Sequence, residues 1–202
     1  MNTSIFNTIA TDLYVAYGHR VSLEEVTAMV RDTEARHRRE ATIDEFIPIL
    51  VEREVTETIE KRLGGEAPRL RVVFVDRADR SVAEAAAAFA NNIAGGVALA
   101  SSANTHPENS GSTQLAAELR SRGIEVDTAL VGEQLGRTLS IPDVAVYMNP
   151  GEAHDVPAMR ELTWDFPSAR KMSYEAIETL ADDIRSSVAE LVGRGDRIKV
   201  AA

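Results

Sequence analysis

Arg71-Val72-Val73-Phe74-Val75 reads as a short buried strand. It feeds Asp76-Arg77-Ala78-Asp79-Arg80-Ser81, and an alanine-rich helix from Val82 to Ala90 follows at once. Strand, tight loop and helix start in that order gather free backbone N–H groups and the positive end of a helix dipole, which suits an oxyanion. Arg80 adds a guanidinium that could hold such an anion. Asp76 and Asp79 oppose it, because they place two carboxylates where the anion would sit. Two readings stay open. In one, Arg80 pairs with Asp76 or Asp79, Ser81 caps the helix, and the loop is structural. In the other, a degenerate loop over residues 76–81 still binds phosphate or sulfate weakly. Thiolate chemistry is excluded, since none of the 202 residues is a cysteine.

A second chemistry uses the acids themselves. Asp76 and Asp127 fall near the ends of expected strands, and with Asp79 they could form an acidic pocket for Mg²⁺-assisted phosphate handling. Strand-end aspartates also serve as caps, and no lysine is placed to complete such a site, so no metal is assigned. His19, His37, His106 and His154 lack the spacing of zinc ligands. No Ser-His-Asp arrangement can be argued from spacing, and no pattern calls for a cofactor. Glu152, His154 and Asp155 read as a solvated polar loop.

The order of short motifs resembles the low-molecular-weight tyrosine phosphatases and the thioredoxin-coupled arsenate reductases. In that family the loop reads cysteine, five residues, arginine, serine. Here Asp76 stands in the cysteine's place, and three residues separate it from Arg80. Ser101 to Pro107 is similar to the family's Ser-Ala-Gly-Thr segment, and Leu119 to Val126 resembles its Gly-Ile-Asp stretch. Asp143-Val144-Ala145-Val146-Tyr147-Met148 resembles its Asp-x-Val-x-x-Met strand. Trp164-Asp165-Phe166-Pro167-Ser168-Ala169 resembles the Trp-x-x-Pro-Asp-Pro segment that carries the general acid, with Ser168 in place of that aspartate. The resemblance covers roughly residues 70 to 192. It implies a flavodoxin-like, four-stranded parallel sheet flanked by helices. With nucleophile, loop length and general acid all changed, it also implies an inactive member kept for binding, assembly or regulation.

Composition limits the remaining classes. The net charge is −10, shared equally between residues 1–68 and 69–202, and no basic stripe exists for nucleic acid. No apolar run is long enough to cross a bilayer, and the N-terminus lacks the pattern of a signal peptide, so the expected location is cytoplasmic. Nineteen arginines against three lysines, with abundant alanine, suggest a GC-rich bacterial genome.

The elements that must position the loop follow from periodicity. Residues 1–65 read as a three-helix bundle and residues 66–202 as the α/β domain, divided by Gly64-Gly65 and Pro68. Ser22-Leu23-Glu24-Glu25 and Thr42-Ile43-Asp44-Glu45 are capping-box patterns opening the second and third helices. Pro48 should kink the third helix or delay its start, and Phe46, Ile49, Leu50, Val55 and Ile59 are expected on one side of it. Strands are expected near 70–75, 97–101, 124–129 and 143–148, and helices near 81–94, 111–122, 131–139 and 173–192. A bundle of some sixty residues is marginal alone. Phe6, Tyr14, Tyr17, Phe46 and Ile47 make an apolar surplus that points to a homodimer through residues 1–63 or to a protein partner.

Overall fold

The computed structural model describes residues 3–40, 44–64, 68–103, 112–126 and 141–193. The chain divides into two compact units, residues 1–69 and 70–202.

The first unit packs α1 (Thr3–Tyr17), α2 (Leu23–Glu40) and α3 (Ile47–Arg62), with a short 3-10 turn at Asp44–Phe46. Gly18 follows the end of α1, and only glycine fits there, because a Cβ would lie 2.5 Å from the Tyr14 carbonyl oxygen. The capping box then opens α2: Glu25 N–H donates to Ser22 Oγ (3.2 Å), and Ser22 N–H donates to Glu25 Oε2 (3.0 Å). Thr42, the start of the second box, lies outside the described residues. Pro48 delays α3 rather than kinking it, sitting in the first turn where its missing N–H costs nothing.

The face assigned to α3 needs correction. Ile47, Val51, Val55 and Ile59 are the buried stripe, whereas Phe46, Ile49 and Leu50 are exposed. Phe46 and Val55 are nine residues apart, and at about 3.6 residues per turn that puts them on opposite sides of a helix. The surplus shrinks accordingly. Phe6, Tyr17 and Ile47 are buried in the bundle's own core with Ile9, Leu13, Val26 and Val30. Tyr17 Oη also donates to Glu60 Oε1 (2.9 Å). Tyr14 is half-buried near the Arg69 guanidinium. Of the five named residues, only Phe46 is exposed, at 56%.

The second unit is an α/β fold: β1 (Leu70–Val75), α4 (Arg80–Ile93), β2 (Ala98–Ala103), α5 (Thr113–Ser121), β3 (Val144–Tyr147), β4 (Arg160–Thr163) and α6 (Tyr174–Gly193). The four strands are parallel in the order β2-β1-β3-β4, with Phe74 level with Ser102 on one side and Val146 on the other. Side chains alternate between the faces. Val72, Phe74, Val144 and Val146 join the large core with α4, α5 and α6, while Val73, Val75, Ala145 and Tyr147 line the opposite face. Ile177, Leu180, Ile184, Val188 and Leu191 form the expected buried stripe of α6. The alanines of α4 carry little bulk, so this helix can lie close to the sheet.

One strand was misplaced by sequence reasoning. Ile124–Val126 form no strand, and residues 127–129 lie outside the described residues, as does the helix expected over 131–139. The fourth strand is Arg160–Thr163 at the sheet's edge. It is mostly exposed and polar, so it lacks the apolar run that marks a buried strand.

Candidate functional site

β1 ends at Val75, and the loop at its carboxyl end is where open parallel sheets place their ligands. Four of its amides are already occupied. Asp76 is buried, and its Oδ1 accepts from Ala78 N–H (2.9 Å) and Asp79 N–H (2.8 Å). Asp79 is the N-cap of α4, its Oδ1 accepting from Ser81 N–H (3.1 Å) and Ser81 Oγ–H (2.6 Å). Arg77 N–H donates to Glu152 Oε1 (2.7 Å). The N–H groups of Arg77, Ala78, Asp79 and Ser81 are therefore all spent on carboxylates of the chain itself. The loop carries its anions internally.

Two expectations change here. Arg80 pairs with neither Asp76 nor Asp79; its guanidinium is bound to Glu84, one helical turn along α4. The capping residue is Asp79, and Ser81 is one of the donors it satisfies. Ser168 does reach the site, its Oγ donating to Asp79 Oδ2 (2.8 Å), so the segment after β4 closes against the loop.

Sequence reasoning missed the segment that follows β3. Glu152 is buried rather than solvated. Besides Arg77 N–H, its Oε1 accepts from Asn149 Nδ2 (3.2 Å), while its Oε2 lies 3.8 Å from an Arg77 guanidinium nitrogen and makes no hydrogen bond. Arg77 also pairs with Asp155. His154 stacks on Tyr147, with ring centroids 4.0 Å apart, and its Nδ1 lies 2.7 Å from Glu161 Oε2. Nothing local in the sequence marks Glu152; its importance comes from lying just past the end of the strand beside β1.

The electrostatics follow from this crowding. Burial pushes the Asp76 carboxyl up to about 6, and the nearby Glu152 and Asp79 carboxylates push the same way against the two amide hydrogen bonds. Among the described residues no group of three or more His, Asp or Glu side chains is placed to hold a metal ion, and Asp127 lies outside them. Trp164 is tilted against Phe74 at 5.7 Å and packs on the core. A cleft of about 180 Å³ opens beside Arg80, Ser112, Leu115 and Arg120. That is smaller than the roughly 300 Å³ at which ligand pockets begin.

No family model and no curated protein matches the chain. Solved structures do. An arsenate reductase in the phosphate-binding state is similar at a TM-score of 0.52 and 17% identity, over 61% of this chain and 97% of that one. An arsenate reductase from Archaeoglobus fulgidus DSM 4304 is similar at 0.50 and 16%, over 61% and 98%. The thioredoxin-dependent arsenate reductase of Corynebacterium glutamicum aligns over 100% of both chains at 20% identity, with a TM-score of 0.46. The first two likenesses show that this chain has the arsenate-reductase fold. At such identities they carry nothing about its chemistry.

Proposed function

We propose that this chain is a catalytically inactive protein of the phosphatase and arsenate reductase fold, serving in the cytoplasm as a binding, assembly or regulatory module. One observation carries the reading. Four of the loop amides that could cradle an oxyanion donate instead to Asp76, Asp79 and Glu152, and the Arg80 guanidinium is engaged by Glu84. An incoming phosphate would have to displace buried carboxylates and then sit beside them, and like charges in a low-dielectric loop repel strongly. The missing thiol agrees, because the cysteinyl phospho- or arsenyl-enzyme of that family cannot form without it. Binding then falls to other surfaces. Phe46, Ile49 and Leu50 form an exposed apolar stripe at the start of α3, and a second copy of the chain is the partner we assign to it.

The test combines turnover and binding. Neither an aryl phosphate nor arsenate with a thiol reductant should be turned over above a buffer control. Titration with phosphate, followed by the amide shifts of Ala78 to Val82, should show no saturation below millimolar concentration. Turnover that disappears in Asp76→Ala, or micromolar saturation of those shifts, would overturn the proposal.

A further inference from the structure

The segment from Asn149 to Val156 is tied down at two places. At its far end Val156 N–H donates to Tyr147 Oη and the Val156 carbonyl accepts from it, both at 3.2 Å. Val156 and Ala158 pack on the sheet face formed by Val73, Val75, Ala145 and Tyr147. His154 lies flat on Tyr147 and meets Glu161 and Thr163 of β4. At the near end Glu152 accepts the Arg77 amide and lies beside the Arg77 guanidinium, which Asp155 at the far end also holds.

That near end is incompletely satisfied. Glu152 Oε2 is buried without a hydrogen bond, and its guanidinium partner is 3.8 Å away. Asp76, a further buried carboxylate, opposes it through space, and Arg77 must serve Asp155 as well. Arg80 gives no relief, being bound to Glu84. Of the neighbouring groups, Glu152 and Asp79 raise the proton affinity of Asp76 through space. Such coupling is reciprocal: if Glu152 in place favours the proton on Asp76, that proton favours Glu152 in place by the same factor.

We propose that Asn149–Val156 is a strap whose grip on the loop is set by the ionisation of Asp76, held when Asp76 is protonated and loosened when it is charged. A neutral Asp76 keeps its carbonyl oxygen for the amides of Ala78 and Asp79 while ceasing to repel Glu152. Acidification from pH 8 to pH 5 therefore closes the strap. The charges on and around it that could also respond are Arg77, Asp79, His154, Asp155 and Glu161, with the Tyr147 phenol beneath; of these, His154 is the rival trigger.

The experiment is amide hydrogen exchange of the full chain from pH 5 to 8, read at Glu152, Asp155 and Val156 and normalised to unfolded-chain rates. By linkage, the factor by which strap opening differs between the two ionisation states of Asp76 equals the factor by which Glu152 in place shifts the Asp76 proton equilibrium. Wild type should thus lose protection at these amides between pH 5 and pH 8 by the same factor that Glu152→Gln removes from the Asp76 titration. Asp76→Asn should show the acidic level of protection throughout. Glu152→Gln should move the Asp76 carboxyl, followed by its own carbon shift, to lower pH. His154→Gln should leave the transition in place. A transition that survives Asp76→Asn, or that vanishes in His154→Gln, overturns the proposal. Should Asp76→Asn fail to fold, an unmoved Asp76 titration in Glu152→Gln does so equally.

Discussion

Replacing Asp76 by asparagine should stabilise the protein at neutral pH, an unusual outcome for a buried polar residue with two hydrogen bonds. An aspartate ordinarily titrates near 4, and burial raises Asp76 to about 6. The folded state therefore binds the proton more tightly than the unfolded chain. For a group raised in this way, the contribution to stability is present below the unfolded value, falls as pH rises between the two, and is lost above about 6. A two-unit gap corresponds to at most about 3 kcal/mol at pH 7.5. Relaxation of the loop reduces that to about 2 kcal/mol. Asparagine keeps an oxygen for the amides of Ala78 and Asp79 and removes the charge that Glu152 and Asp79 oppose. Its amide hydrogens also gain carboxylates to meet. Urea unfolding followed by the single tryptophan, Trp164, reports on the α/β unit alone. The variant should be more stable than wild type by about 1–2 kcal/mol at pH 7.5, the gap closing or reversing at pH 5. Equal destabilisation at both pH values would refute the reasoning, since it would mean that the loop needs an ionised carboxylate at this position.

Asp79→Ala should act in the opposite sense at every pH, because it removes the α4 cap, strands the buried hydroxyl of Ser81 and releases Ser168. The expected loss is about 2–3 kcal/mol by the same unfolding assay, and a loss under about 0.5 kcal/mol would show that the cap is dispensable. The full chain should sediment as a dimer at tens of micromolar, and Phe46→Asp in the exposed stripe of α3 should shift it to the 22.0 kDa chain mass without changing its far-ultraviolet dichroism. A wild-type monomer at that concentration rules out self-association through this face.

What was legible in the sequence was whatever repetition and capping encode. The buried run of β1, the alanine-rich α4, the stripe of α6 and the box at Ser22 each announce themselves within a few residues, because the hydrophobic and hydrogen-bonding demands there are local. The edge strand at Arg160–Thr163 was not legible. Apart from Leu162 it is built from polar residues, its strand conformation is imposed by the hydrogen bonds of β3, and no apolar run records that. The face of α3 failed for a different reason: Phe46, Ile49 and Leu50 are apolar residues that the bundle does not use, so composition alone pointed the wrong way.

The loop shows where such reading stops. Its sequence, with acids at 76 and 79 and an arginine at 80, correctly signalled a conflict between an anion cradle and resident carboxylates. Its resolution depends on Glu152, seventy-odd residues away, and on Ser168, further still. Charges that would repel an oxyanion are here the acceptors that replace it, the amides of Arg77, Ala78, Asp79 and Ser81 each finding a carboxylate within 3.1 Å. A buried amide must be satisfied by something, and an unoccupied cradle is costly unless water or an anion fills it. Asp76 and Asp79 make this cradle self-sufficient, so the fold at β1 can persist without a ligand. The residual cost is electrostatic. It appears as the raised proton affinity of Asp76 and the unbonded oxygen of Glu152.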